Sequence, residues 1–384
     1  MIAKNNWQTK KLGEVLKLEY GKPLQKLHRK SGGLYPVYGA NGIKSFSDKF
    51  YYDKATVIVG RKGSAGEINL TEEKFWPLDV TYFVKFDDKK YDLKFLYNLL
   101  DTLELTKLAK GVKPGINRDD VYDIDVQVPE LNEQRRIVKI LDEVFEKTAK
   151  AKANAEKNIQ NAKNLFESYL QSVFDASASP ATDWEKKSLG DIFQIKPPKK
   201  EAKEKLKDDD LVSFVPMEDL EKFSKEFACV KERKLRDVAG SYTYFANEDV
   251  LLAKITPCFE NGKLGIARNL KNGIGFGSSE YIVFRSSGNV IPDYLYYFLA
   301  RDYFRTEGAK RMSGAVGHKR VSKEFIEETI LPFPKSLPAQ KSIVVKFDAL
   351  SEQTKKLESI YKQKLADLEE LKKSVLKKAF SGEL

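Results

Sequence analysis

The sequence predicts an α+β chain built twice over, as two β-rich globular parts each followed by one long helix, the helices pairing as a coiled coil. Three observations predict it. Sequence motifs recur at long offsets along the chain. The last segment of each copy holds its length and carries an apolar stripe at heptad spacing. Ahead of each stripe lie short apolar runs bounded by glycine and proline, the pattern of buried strands.

The recurrence comes first, because repeats decide architecture. Trp7 is followed by Leu12-Gly13-Glu14-Val15, and Trp184, 177 positions on, by Leu189-Gly190-Asp191-Ile192. Tyr82, Leu96, Tyr97 and Leu100 match Tyr281, Leu295, Tyr296 and Leu299 at an offset of 199. Leu131, Gln134, Ile137, Val138 and Asp142 match Leu337, Gln340, Ile343, Val344 and Asp348 at 206, and Leu165, Leu170 and Phe174 match Leu371, Leu376 and Phe380 at the same 206. The second copy is therefore longer by 29 residues, the difference between 206 and 177, all upstream of the last segment. Loops vary in length freely. A segment that does not vary behaves as a spacer, although a duplication without functional meaning gives the same pattern.

Residues 131–175 read as one helix, since residues 131–174 contain no proline or glycine. Ile137, Val144, Ala151, Asn158 and Leu165 form one row of the stripe; Leu141, Thr148, Ala155, Ala162 and Tyr169 form the other. Residues 337–384 repeat this with Ile343, Leu350, Leu357, Lys364 and Leu371, beside Phe347, Thr354, Tyr361, Leu368 and Val375. Small residues in the middle of the first stripe face bulky ones in the second, so the two are expected to pack on each other. Asn158 and Lys364 take equivalent core positions, where a polar group fixes register. Gln134, Ile137, Leu141, Leu165, Gln340, Ile343, Phe347 and Leu371 are the candidate packing or partner-docking positions. A helix of this length spans roughly 60–65 Å. Two helices packed each on its own globular part is the other arrangement the stripes allow.

The globular parts are residues 1–130 and 176–336, the second opening with a polar linker over 176–183. Strands are expected at Thr56–Val59, Thr81–Phe86, Val250–Ala253 and Tyr281–Phe284, with short helices over Leu93–Leu105 and Tyr294–Tyr303. Proline at Val128-Pro129 and Leu331-Pro332-Phe333-Pro334 ends a strand and lets each long helix begin.

Between these elements run basic, glycine-bearing loops. Gly60-Arg61-Lys62-Gly63-Ser64-Ala65-Gly66 follows a strand; glycine lets backbone approach a phosphate, and Arg and Lys supply charge or a guanine contact. An ordinary glycine hairpin turn fits the same residues. Ahead of the long helices lie Lys110-Gly111-Val112-Lys113-Pro114-Gly115-Ile116-Asn117-Arg118 and, in the second copy, the segment from Lys310 to Arg320. From the first copy we take Lys44, Arg61, Lys62 and Ser64 as DNA-contact candidates, with Lys113, Asn117 and Arg118 from the later loop. From the second come Lys254, Thr256, Lys263, Ser278 and Ser279. Lys310, Arg311, His318, Lys319 and Arg320 complete the set. Basic side chains on permissive backbone suit a groove-facing loop. Because the loops differ between copies while the frames agree, two different short sequences are expected to be read.

The bulk numbers bound the rest. The chain has 384 residues, 41% hydrophobic, with 23 Phe and 18 Tyr, enough for packed cores. Sixty-seven basic against 56 acidic residues leave a net charge of +11, which points to an anionic partner, nucleic acid or membrane surface, or to lysine-rich solvated helices. Two cysteines and two histidines build neither a disulfide framework nor a His-rich metal site. No apolar leader opens Met1 to Lys11 and no run approaches a membrane span, so a cytoplasmic protein without membrane contact is expected. No Asn/Asp-Pro-Pro-Tyr/Phe, Walker A or HExxH pattern occurs, which argues against an enzyme.

Tyr35-Pro36-Val37-Tyr38-Gly39-Ala40-Asn41-Gly42 with Val57-Ile58-Val59-Gly60-Arg61-Lys62-Gly63 resembles the first target-recognition domain of type I restriction-modification specificity subunits. The stretches Leu252 to Lys263 and Gly273 to Glu280 are similar to a common second domain, and Pro129 to Ile137 to the start of the family's helical region. Pro338-Ala339 departs from that last pattern where Asn132-Glu133 stand in the first copy. The resemblance covers nearly the whole chain. It implies antiparallel helices holding two recognition domains in pseudo-two-fold symmetry, each reading half of a split double-stranded DNA target. It also implies two docked methyltransferase subunits that bind S-adenosylmethionine and a restriction-translocase subunit, with ATP and Mg on those partners and no cofactor in this chain. Two other readings stand beside it: a specificity module with cryptic nuclease or methyltransferase activity, and a coiled-coil assembly protein without a DNA role.

Overall fold

A computed structural model describes residues 7–175, 183–222, 224–229, 231–315 and 317–384. The linker expected at 176–183 lies, but for Asp183, outside them, as do the first six residues of the segment read for a leader. The fold is α+β. Two compact units divide it, residues up to Glu156 with Lys362–Leu384, and Lys157–Tyr361. Among the described residues no helix is long and apolar enough to cross a membrane.

Both units follow one plan. In the first, Gln8–Lys11 pairs antiparallel with Asp125–Val128, the strand just ahead of the long helix. One helical turn, Leu12–Val15, then feeds an antiparallel sheet in the order Leu16–Tyr20, Thr81–Phe86, Thr56–Gly60, Ile68–Thr71. In the second, Trp184–Ser188 pairs with Ile330–Pro334, the turn Leu189–Ile192 follows, and the sheet runs Phe193–Ile195, Tyr281–Ser286, Val250–Ala253, Leu264–Ile266. Thr56–Gly60 and Val250–Ala253 are wholly buried, which is why they read as unbroken apolar runs rather than alternating ones. The copies diverge in the additional sheet. The first has Gly42–Ser47, Tyr35–Gly39 and Trp76–Pro77; the second has four strands, Glu232–Lys234, Leu211–Val215, Ile274–Gly277 and Thr243–Ala246.

Strand register corrects one sequence correspondence. Val59 pairs with Tyr82, and its counterpart Leu252 pairs with Ile282. Tyr82 is therefore equivalent to Ile282, not to Tyr281. Tyr82 packs in the cluster under the helices, whereas Tyr281 packs with Val215 and Phe245. A one-residue slip exchanges the two faces of a strand, so matching letters at an offset of 199 placed the tyrosines on opposite sides. The short helices are also divided differently than expected. The first ends at Thr102 and a separate turn covers Leu105–Leu108, because Glu104 adopts a left-handed backbone at φ 47°. In the second copy Pro292–Ala300 and Asp302–Lys310 are two helices that break at Arg301.

The long helices are Leu131–Asp175 and Leu337–Ser381, 45 residues each. They run antiparallel within each unit. In the first, Lys152 bonds Glu369 at 2.9 Å while Arg136, sixteen residues earlier, donates to Leu384 O. In the second, Lys163 lies 3.7 Å from Glu358, and Phe174 stacks on Phe347 with ring centroids 5.8 Å apart. Each helix ends in the core of the opposite copy's domain. Phe380 packs on Phe95 beside Ile137, Leu141 and Leu376. Its equivalent Phe174 packs on Tyr294 and Phe298, with Leu170, Val344 and Phe347 in the same cluster.

The stripe is not the one the sequence predicts throughout. Leu165 is 64% exposed and Leu371 46%, so these paired positions do not pack between the helices. Leu357 and Lys364 also face solvent. In the first helix the buried row steps by four from Ala162 through Phe166 and Leu170 to Phe174. An undistorted helix has 3.6 residues per turn, so a strict heptad drifts off the contact line, and here the globular core draws the stripe with it. In the second helix Glu358 and Leu365 take the inward places expected of Leu357 and Lys364. Asn158 therefore has no facing lysine; its Nδ2 donates to Tyr361 Oη at 3.1 Å.

Candidate nucleic-acid interface

The basic loops that the sequence separates by more than fifty residues in the first copy and more than sixty in the second are joined in space by backbone bonds. In the first copy Gly63 N–H donates to Pro114 O at 2.9 Å and Ile116 N–H to Arg61 O at 3.1 Å. In the second, Thr256 N–H donates to Lys319 O and Val321 N–H to Lys254 O, both at 2.9 Å. The bonded residues correspond pair by pair, at offsets of 193 and 205. Two loops of unlike sequence thus close on each other through one backbone clasp in both copies, which makes Arg61 and Lys254 equivalent, and likewise Arg118 and Lys323. Gly66 secures the first loop: at φ +84° an added Cβ would lie 2.4 Å from backbone atoms of Leu105 and Thr106, space that only glycine leaves.

In the first copy this clasp carries an arginine–tyrosine stack. Arg61 lies over Tyr20 at 5.2 Å and Tyr82 at 6.0 Å, and its Nε and Nη2 donate to Asp79 O. Arg118 lies over the other side of the cluster, 5.4 Å from Tyr20 and 5.8 Å from Tyr122, and its buried Nε has no hydrogen-bond partner. Stacking leaves the terminal guanidinium donors not already bonded, Nη1 of Arg61 among them, for a carboxylate, phosphate or base edge. Burial and the hydrogen bond with Tyr20 push the Tyr82 hydroxyl up to about 12, so it stays a neutral donor. Lys62, Lys113 and Asn117 are exposed around the stack, and Ser64 is half-buried. Asn117 caps the helix Arg118–Tyr122 by accepting from Asp119 N–H. Lys44 is exposed on a strand of the additional sheet, its stem against Gly39.

In the second copy the same place is lined by lysines. Lys254 is half-buried and donates to Ser279 O at 3.0 Å; burial holds its ammonium below the usual range. Arg320 grips Glu280 with two bonds of 2.9 and 2.7 Å, which holds that carboxyl below its ordinary range. Several candidates are engaged within the fold. Thr256 Oγ1 bonds Glu260, Ser278 Oγ accepts from Glu280 N–H, and Lys263 donates to Met217 O at 2.5 Å. Lys263 and Thr256 therefore hold the loops rather than project from them. Lys310 bonds Glu307 at 2.7 Å, and Arg311 lies over Phe325. His318, Lys319 and Ser279 are exposed on the loop surface.

Gln134 and Gln340 have a role that spacing did not reveal. Both are fully buried. Gln134 Nε2 donates to Lys90 O and Pro129 O, while Oε1 accepts from Asp92 N–H, at 2.9–3.0 Å. Gln340 makes the same three bonds with Asn289 O, Pro334 O and Ile291 N–H, at 2.8–3.0 Å. Each glutamine fastens the start of a long helix to the loop that begins a short one. They are not surface docking residues. The tyrosines of the stack were also missed; Tyr20 stands beside Gly21 at the end of a strand and gives no signal until Arg61 is placed over it.

The type I restriction modification DNA specificity domain matches residues 4–161 and again 181–369. The chain belongs to this specificity family. It is 40% identical over 172 residues to the specificity subunit of the Escherichia coli type I restriction enzyme EcoAI, and 36% over 155 residues to that of EcoEI. Those stretches cover 44% and 39% of this chain but only 28% and 25% of the relatives, about a quarter of their length. The EcoDI specificity subunit, also from Escherichia coli, is 22% identical across 99% of this chain and 89% of its own. Among solved structures, one described as the structural basis of complex assembly and conformational transition of the type I R-M system matches with a TM-score of 0.72 at 18% identity, covering 99% of this chain and 98% of that one. The HsdS subunit from Thermoanaerobacter tengcongensis matches at 0.60 and 19%, covering 99% and 97%. At such identities the likeness is one of fold, and it is the specificity-subunit fold. Among the described residues no cluster of His, Cys, Asp or Glu is arranged to hold a metal ion, and both cysteines are free.

Proposed function

We propose that this specificity chain reads a bipartite double-stranded DNA target, one half through each clasped loop pair, and sets the unread gap by its two long helices. The observation that carries the reading is the clasp itself: the same backbone bonds present Arg61, Lys62, Lys113 and Arg118 in one copy and Lys254, Lys319 and Arg320 in the other. One scaffold bearing two unlike sets of basic side chains is what two different half-sites require. Half-site readers lie about one helical turn (10–10.5 bp) apart, or a multiple of it, so a spacer of fixed length has a direct meaning.

The chain works as a non-catalytic subunit in the cytoplasm. Two methyltransferase subunits dock on the long helices, where Leu165 and Leu371 offer equivalent exposed apolar side chains, and a restriction-translocase subunit joins them. S-adenosylmethionine, ATP and Mg belong on those partners.

Methylome sequencing of a host carrying this chain with its methyltransferase tests the proposal. The expected result is a split motif whose halves do not match each other. Inserting one heptad near Ala155, together with the facing segment, lengthens the gap and leaves both halves intact. Altered halves with an unchanged gap overturn the ruler.

A further inference from the structure

At the position where the first copy stacks Arg61 and Arg118 on tyrosines, the second copy has an open cleft of about 640 Å³. The correspondence is residue by residue. Lys254 stands for Arg61, Ile282 for Tyr82, Val321 for Ile116, Lys323 for Arg118 and Glu327 for Tyr122, and all five line the cleft. Isoleucine and glutamate in place of Tyr82 and Tyr122, with lysine in place of both stacked arginines, leave the space open. The opposite wall, Tyr242, Thr243 and Tyr244, comes from the additional sheet and has no counterpart in the first copy.

Four lysines line this space: Lys196, Lys199, Lys254 and Lys323. Acidic compensation is thin. Glu327 is 3.3 Å from Lys323, and Glu280, 4.0 Å from Lys254, is shared with Arg320, so two carboxylates face four lysines and an arginine. Lys199 and Lys254 each place one N–H on a backbone oxygen, Gly240 O and Ser279 O, and that leaves each ammonium two further donors. Both ammoniums are held below their usual range: burial and then Lys196 depress Lys199, while at Lys254 burial, with Arg320 and Lys196, outweighs the opposing pull of Glu280. Lys196 itself has a left-handed backbone at φ 59°, uncommon for a side-chain-bearing residue, and it adds a fourth lysine to the lining. Like charges gathered in excess of their acids cost stability, and an anion in their midst relieves that cost.

We propose that this cleft seats a phosphate ester, its oxygens among Lys196, Lys199, Lys254 and Lys323 and its sugar or base against the half-buried Tyr242. The first copy occupies the equivalent place with the stack of Arg61 and Arg118 on Tyr20. The phosphate comes either from the backbone of a bound duplex, in which case the inference rests on the DNA-reading proposal, or from a free nucleotide.

The test uses the full chain, assembled with its methyltransferase subunit, and the double variant Lys196→Gln/Lys323→Gln. Neither substituted residue holds the loop clasp. Duplex titrations at several salt concentrations separate the outcomes. For a backbone phosphate, the variant binds every duplex about tenfold more weakly, and the slope of log K against log salt falls by about 1, with both half-sites unchanged. The charge-keeping Lys196→Arg/Lys323→Arg restores both values. For a free nucleotide, deoxyadenosine monophosphate at millimolar concentration raises the thermal transition of the unsubstituted chain but not of the glutamine variant, while duplex binding is the same in both. Equal duplex affinity, equal salt slope and equal nucleotide response in the two proteins overturn the inference and leave the DNA-reading proposal standing. Failure of the unsubstituted assembly to bind any duplex sinks that proposal instead, and the nucleotide arm still decides the cleft.

Discussion

Replacing Gln134 with leucine keeps the volume of a buried side chain and removes its hydrogen bonds. The structure gives the cost. Pro129 O is buried and loses its partner outright, while Lys90 O and Asp92 N–H lie in a partly buried setting. An unmet buried backbone group costs about 1–3 kcal/mol and a partly solvated one less, so the loss comes to about 2–4 kcal/mol. Urea titration of the chain followed by circular dichroism reads it as a lower midpoint with an unchanged slope. Gln134→Glu sharpens the test. A carboxylate still accepts from Asp92 N–H but faces two carbonyl oxygens, so its folded pKa rises above the unfolded value. The variant is then least stable above that raised pKa and recovers as pH falls through it, because the neutral acid can donate again. Gln340→Leu behaves alike in the second copy. A loss under about 1 kcal/mol for Gln134→Leu, or Gln134→Glu growing weaker toward acid, refutes the clamp.

Other outcomes follow from the same geometry. Gly66→Ala costs at least about 2 kcal/mol, from a left-handed backbone and a Cβ pressed onto Leu105 and Thr106, and thermal melting reads it. Glu280→Gln removes the Arg320 pair. Because the folded carboxyl is depressed, the stability it brings is present above the ordinary carboxylate range and lost as pH falls through the folded pKa; the gap in melting temperature between the variant and the unsubstituted chain is therefore widest near pH 7 and closes toward pH 3. Arg118→Ala weakens duplex binding by about 1–3 kcal/mol and relaxes one motif position if it reads a base, whereas Lys113→Ala weakens all duplexes alike and lowers the salt slope by about 0.9. Leu165→Ser and Leu371→Ser leave folding within about 0.5 kcal/mol of the unsubstituted chain and, on the proposed docking, weaken co-purification with the methyltransferase subunit.

The helices, the wholly buried strands and the twofold plan were legible because each rests on a local rule. Val57 to Val59 read as a buried strand from composition alone, and the segment from Leu131 as a helix from its period. Errors arose where two elements share one decision. Leu165 and Leu371 obey the heptad, yet the end of each helix turns toward a globular core that no single segment announces. Tyr281 matches Tyr82 by letter, but one residue of register puts it on the other face. The loops were recognised as basic, while their joining was not legible, since backbone bonds such as Gly63 to Pro114 leave no mark on side-chain identity. For the same reason Lys196, Lys199 and Lys323 drew no notice: each is an ordinary surface lysine until the fold gathers them.

The ribbon that opens each unit has one more implication. Gln8 faces Val128, and Trp184 faces Pro334, so the chain leaves each globular part beside the place where it came in. Such a part is a cassette with a single doorway. Its contents can be lengthened, as by the one further strand in the second copy's additional sheet, or exchanged whole, without shifting the rod that starts a few residues beyond the threshold.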